Sequence, residues 1–228
     1  MATKLKTQRQ ALDDFWSQGL SGKSLLRSLS GLADEFIRDC FAAIDQSDKG
    51  HQVALVALGG YGREELFPFS DIDLMILFRP EIRKNVSTIA DAILYPLWDT
   101  GFEVGHGVRT VDESLKQAAE DIIFQVALLD GRCICGSEEL FQQLKTEFRH
   151  KFVDGRRREF VSDLNGLSAE RRERFGSHGY LLEPNIKESK GGFRDIQSMI
   201  WAAKVVFGIS TFDEIVDAGF LLPNEGER

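Results

Sequence analysis

The sequence predicts an α+β fold, a small mixed sheet with helices packed on one side, followed by a longer helical region. Three observations carry this. Leu25, Leu29, Leu32, Phe36, Cys40 and Ile44 recur at steps of three and four, the spacing of one helical face. Two short apolar runs follow, Val53–Leu58 and Asp71–Phe78, each bounded by Gly or Pro. From Thr110 onward the pattern is mostly helical.

Taken in order, residues 1–24 form a polar N-terminal segment. The Leu/Phe stripe predicts a helix from about Ser21 to Ile44. Val53-Ala-Leu-Val-Ala-Leu58 stops at Gly59-Gly60 and reads as a buried strand. A turn region from Tyr61 to Ser70 precedes a second strand, Asp71 to Phe78. Val86, Ile89, Ile93 and Leu97 mark a helix over 86–98, with Pro96 distorting its last turn. Phe102 to Arg109 reads as a third strand. Thr110-Val-Asp-Glu113 is a capping box and starts a new helix. Further helices are expected over 111–119, 121–130, 138–150, 156–174 and 193–207. The organisation predicted is a core with its leading helix over 25–135 and a helical extension over 136–228. The Arg- and Glu-rich stretch 151–175 reads as a solvated helix face.

Composition bounds the function. A net charge of −8 over 228 residues argues against a nucleic-acid partner, because phosphate neutralisation needs basic surface. It leaves room for a small phosphate ligand in a local site. Three Cys without framework spacing point to reduced thiols and a cytoplasmic setting. Cys133 and Cys135 lack a second pair for zinc and read as small apolar side chains. The first ten residues have no apolar stretch of a secretory signal. No apolar run approaches the ~20 residues that span a bilayer, so no membrane partner is expected.

The chemistry concentrates between Gly59 and Phe78, GGYGREELFPFSDIDLMILF. On a strand, Asp71 and Asp73 share a face about 6.6 Å apart along the chain. Two such carboxylates repel unless a cation compensates. Mg²⁺ suits hard carboxylate oxygens and shares its shell with substrate phosphates. Gly59, Gly60 and Gly62 let backbone approach a ligand closely, and a turn leading into a helix start forms an anion cradle. Arg63 can add a charge-assisted bond to phosphate, and Ser70 can assist it or cap the turn. An isolated Asp-x-Asp is common and uninformative. The order strand, Gly-Gly, short helix, Ser-Asp-x-Asp strand is the equipment of phosphoryl or nucleotidyl transfer.

This pattern resembles the nucleotidyltransferase signature of the DNA polymerase β-like superfamily. More closely, the chain resembles the N-terminal region of the bifunctional PII uridylyltransferase/uridylyl-removing enzymes. The segments that carry the likeness are GLADEFIRDCFAAI from Gly31, GGYGREELFPFSDIDL from Gly59, FEVGHGVRT from Phe102, the stretch Asp121 to Gly136, and LEPNIKESKGGFRDIQ from Leu182. They cover residue 25 onward. The resemblance implies a polymerase β-like core and transfer of UMP from UTP to a Tyr of the PII signalling protein, with release of pyrophosphate. It implies that Gly59, Gly60 and Arg63 hold phosphates and that Asp71 and Asp73 bind Mg²⁺. It also implies a third carboxylate on a neighbouring strand, with Glu103 the first candidate and Asp121 the second. His106 and Arg109 are candidates to line the nucleotide site. A second Gly-rich loop, with Lys187, Lys190, Gly191, Gly192 and Arg194, is expected to close over phosphates. The plainer reading of that loop is a structured turn with Asp195 at a helix start.

The chain departs from the family pattern in two places, Glu64 where Gly is usual and Ser189-Lys190 where Gly-Pro is usual. None of its four His is followed by Asp, and 228 residues leave no room for the family's HD phosphohydrolase and ACT domains. A truncated or split form lacking uridylyl removal and glutamine sensing is therefore expected. Two competing readings stand beside the transferase. One is a nucleotide-binding or regulatory fragment without turnover. The other is an adenylyltransferase of the glutamine synthetase type.

Overall fold

In the computed structural model, which describes residues 22–44, 52–175 and 185–220, the apolar stripe forms α1, Gly22–Ala42. The polar segment up to residue 21 and Leu182–Pro184 of the second Gly-rich stretch lie outside the described residues. Strand β1 is Val53–Ala57; a one-turn helix α2 is Gly59–Gly62; strand β2 is Ile72–Phe78. Helix α3, Val86–Trp98, runs through Pro96, and β3 is Val104–Arg109. Then come α4 (Val111–Glu120), α5 (Ile122–Leu129), β4 (Arg132–Gly136) and α6 (Glu138–Phe148). The Thr110 capping box is present, with Glu113 accepting from the Thr110 backbone at 2.9 Å. After a wide turn at Arg149–Val153 come α7 (Arg157–Phe175), α8 (Phe193–Phe207) and α9 (Phe212–Asp217).

The four strands order as β3-β2-β1-β4, with β2 parallel to β3 and both other pairings antiparallel. The mixed sheet is as expected, but helices cover both of its faces rather than one. On the first face, Ile72, Leu74, Ile76 and Phe78 join Leu29, Phe36 and Ile37 of α1 and Ile89, Ile93 and Leu97 of α3 in one core. On the second face Met75, Leu77, Ala54 and Val56 are also fully buried, and Ser114 of α4 reaches the Met75 sulfur at 3.7 Å. The sequence carried this signal. Runs such as VALVA and MILF do not alternate apolar with polar, the mark of strands covered on both sides.

β4 was missed by periodicity. It is five residues long, pairs with β1 through a bulge between Leu55 and Val56, and only Ile134 of it is fully buried. So short an edge strand is decided by its neighbour rather than by its own residues.

The chain divides into two compact units, Met1–Glu147 and Phe148–Arg228. The sheet and every helix through α6 but for its last residue belong to the first. Among the described residues no helix is long and apolar enough to cross a membrane.

Candidate active site

The first unit gathers the site at one end of its two central strands. Asp73 lies on β2 between two glycines. Register pairs it with Gly105 of β3, and its carbonyl accepts the Leu58 N–H at 2.9 Å at the end of β1. A Cβ on Gly105 would stand 2.7 Å from Asp73 Oδ1; one on Gly59, where φ is +55, would stand 3.1 Å from Oδ2. The carboxylate therefore fills the room that both missing side chains leave. Asp71 immediately precedes β2, and both carboxylates are exposed among otherwise buried strand neighbours. Exposed acids beside glycine-lined backbone suit a hydrated divalent ion. Mg²⁺ needs only one or two carboxylates, completing its shell with water and phosphate oxygens.

The turn after β1 presents its start to this place. In α2 the N–H groups of the first turn have no partner within the helix. The later ones are used: Gly62, Arg63 and Glu65 donate to the carbonyls of Leu58, Gly59 and Gly60 at 2.9, 3.2 and 2.8 Å. Ser70 donates its backbone N–H to Phe67 at 3.0 Å, closing a turn that leads into Asp71 and leaves Phe69 97% exposed.

Other expected residues are placed differently. Arg63, read as a phosphate ligand, is committed inward, with Nη1 2.6 Å from Asp130 and Nε 2.7 Å from Glu65. Burial works against its charge, but Asp130 and Glu65 outweigh that and raise its pKa. Glu103 is exposed before β3 begins, and its carbonyl accepts from Ile72 at 2.8 Å. The β3 positions on the face of Asp73 are Gly105, Gly107 and Arg109. Among the described residues no group of three or more His, Cys, Asp or Glu is arranged to hold a metal ion. Asp121 caps α5 through the Ile123 N–H at 2.8 Å. His106 falls on the opposite face, with its ring 5.8 Å from that of Trp98. Arg109 is on the face of Asp73; its guanidinium occupies the room over Gly107 and lies 5.3 Å from the Phe124 ring.

Glu64, the departure from the family pattern, has φ +61 and is exposed. The backbone there is left-handed, a conformation Gly adopts without cost and other residues at roughly 1–2 kcal/mol. The usual Gly at this position has a backbone reason, and the Glu carboxylate is accommodated in solvent.

In the second unit, Lys187 and Lys190 are exposed. The amides of Gly191 and Gly192 are already used, by Asp195 Oδ2 and the Ser189 carbonyl, both at 2.8 Å. Arg194 donates to Gln197 at 2.9 Å. Asp195 ion-pairs with Arg171 and sits in the first turn of α8.

Sequence reasoning missed Tyr61 of α2 and Asp34, Asp130 and Arg132, which hold α2 from behind. Their only signal was polarity within apolar stretches, which does not reveal a partner.

A carboxylate set between two glycines at the end of a mixed sheet, with a second exposed acid two residues before it, suits a nucleotidyltransferase core. The comparisons agree. Residues 6–120 match the DUF294 nucleotidyltransferase family, and the chain belongs to it. Residues 160–228 match the family described as GlnD PII-uridylyltransferase. Among curated relatives, a bifunctional uridylyltransferase/uridylyl-removing enzyme of Azospirillum brasilense is 36% identical over 212 residues, 90% of this chain and 23% of the relative. Its namesake from Hydrogenovibrio crunogenus is 38% identical over 226 residues, 96% of this chain and 25% of the relative. That of Rhodospirillum rubrum is 39% identical over 172 residues, 75% of this chain and 18% of the relative. The chain spans about a quarter of the length of these relatives.

Proposed function

We propose that this chain transfers UMP from UTP to a tyrosine hydroxyl of a PII-type signalling protein, releasing pyrophosphate. The observation that carries the reading is Asp73, whose carboxylate fills the space that a Cβ on either Gly59 or Gly105 would need. Asp71 and Asp73 would hold Mg²⁺, which when bound supplies charge compensation at the phosphates. Gly59 and Gly60 let the triphosphate come close to the first amides of α2. Ser70 holds the turn that delivers Asp71. In the transfer, the tyrosine oxygen forms a bond to the α-phosphorus. The bond from that phosphorus to the pyrophosphate oxygen breaks, and the hydroxyl proton passes to solvent water. The proposed role of Arg63 is to shape the turn through Asp130. The proposed role of Arg109 is to add positive charge on the carboxylate face. The uridylyl choice and the PII acceptor are supported by the names of the relatives and of the matched family.

The test is transfer of label from α-labelled UTP to purified PII protein with Mg²⁺, comparing the parent chain with Asp71→Ala/Asp73→Ala. Label that disappears in the double variant is the expected result. Label that persists in it would sink the role of the carboxylates. A second reading is a module that binds UTP without turnover, favoured by Gly105 and Gly107 where a third carboxylate was expected. It predicts Mg²⁺-dependent UTP binding with no label on PII.

A further inference from the structure

The Gly59–Gly62 turn is gripped from behind by side chains from two distant parts of the chain. Asp34 of α1 lies buried beneath it. Its carboxylate accepts the Tyr61 hydroxyl at 2.7 Å and both terminal nitrogens of Arg132 at 2.6 and 3.1 Å. Arg38 adds a longer contact at 3.3 Å. Arg132 then donates to the carbonyls of Tyr61 and Gly62, both at 3.3 Å. Two residues earlier, Asp130 takes Arg63 at 2.6 Å, with the Asp130 side chain fully buried. Between these grips, the Gly62 Cα abuts the Asp130 carbonyl so closely that no Cβ would fit.

We infer that the segment Asp130-Gly131-Arg132, with Asp34, is a positioning clamp that sets how the α2 amides face the triphosphate. The inference rests on the functional reading above. The clamp acts through backbone: Arg132 holds the carbonyl side of the turn, and this aims its N–H side toward the carboxylates. Folding alone would not call for this construction. A buried carboxylate under a turn carries a desolvation cost, which a planar, bidentate Arg partner offsets. An apolar contact would fill the same space with no such cost. What the ionic network adds is directional restraint on one short turn, at the point where phosphate recognition needs fixed amides. Lys cannot reproduce it, because a point charge does not fork across a carboxylate and two carbonyls.

The experiment measures Mg²⁺-dependent UTP binding and hydrogen exchange of the Gly59–Arg63 amides in the full chain. The variants are Arg132→Met, Arg132→Lys and Tyr61→Phe. Arg132→Met should weaken UTP binding roughly tenfold or more, the loss of one or two charged hydrogen bonds expressed through the turn. It should also speed exchange at those amides and leave KM for the acceptor protein unchanged. Arg132→Lys should fall between, and Tyr61→Phe should lose about threefold, because one bond to the Asp34 carboxylate goes while Arg132 still holds it. If Arg132→Met fails to fold, Tyr61→Phe, which keeps the packed ring, carries the test. Exchange that speeds up while UTP binding stays at the parent level overturns the inference, as does unchanged exchange. A parent chain that binds no UTP overturns the functional reading and the inference together, so the two failures are distinguishable.

Discussion

Two Gly-Gly pairs stand at helix starts in this chain, and they use their amides in opposite ways. In the second unit, the N–H groups of Gly191, Gly192, Phe193, Arg194 and Asp195 donate to Asp195 Oδ2 and to the carbonyls of Ser189, Ile186, Lys187 and Gly192. That loop is closed on itself. In the first unit, the turn at Gly59-Gly60 spends its carbonyls and later amides, while side chains anchor it from outside. Its first amides are left toward the carboxylate end of the sheet. The same dipeptide therefore reads as a ligand cradle in one place and as a self-contained cap in the other. What distinguishes them is where the hydrogen bonds go.

Substitutions can break this contrast, the largest effect being expected at Gly105. In Gly105→Ala the new Cβ meets only Asp73 Oδ1, at 2.7 Å, the end of a side chain that can swing aside. Stability should change little, but the displaced carboxylate should cost on the order of 100-fold in transfer. Unaltered transfer by a folded Gly105→Ala chain would remove Asp73 from the site. Gly62→Ala and Gly192→Ala form the next pair. A Cβ at Gly62 meets the Ala57 carbonyl at 2.9 Å besides that of Asp130; one at Gly192 meets three carbonyls at 2.5 to 3.0 Å. Backbone yields poorly, so each should lose about 1–3 kcal/mol in denaturant unfolding. Only Gly62→Ala should also weaken UTP binding. Equal losses of binding from both would erase the distinction between the turns.

Glu64→Gly sharpens the picture at smaller cost. It relieves the left-handed backbone but frees the unfolded chain, a net gain of at most about 1 kcal/mol. A fall in the unfolding midpoint would show that the Glu64 side chain has a stabilising partner. Tyr61 offers a pH readout of the clamp. Burial first, and then the Asp34 carboxylate beside it, hold its hydroxyl well above the ordinary tyrosine range. A raised acid contributes stability that is complete below the unfolded value, near ~10, and lost as pH rises through the folded one. Tyr61→Phe should flatten the fall in stability above pH ~10, and an identical fall in both chains would count against the network. The smallest effect is expected from Lys187→Ala/Lys190→Ala, two exposed side chains on the closed loop. UTP binding should stay within about twofold and stability within about 0.5 kcal/mol. A large loss of binding would return that loop to the phosphate site.

Much of this protein is legible in its sequence. The α3 and α8 boundaries, Val86–Trp98 and Phe193–Phe207, match their expected ranges because long helices declare themselves through repeating apolar spacing. β1 and β2 were visible as apolar runs between Gly and Pro. These properties are local, with the information lying within a few residues of where it is used. The sheet order, the hidden strand β4, the opposite facing of His106 and the inward commitment of Arg63 were decided only in three dimensions. So were the grips on the Gly59–Gly62 turn, which join Asp34 to Arg132 across 98 positions of sequence. A charge in a sequence does not announce its partner. Whether Arg63 meets a phosphate or Asp130 depends on what long-range folding brings beside it, because burial makes an ionic group take the nearest compensating charge.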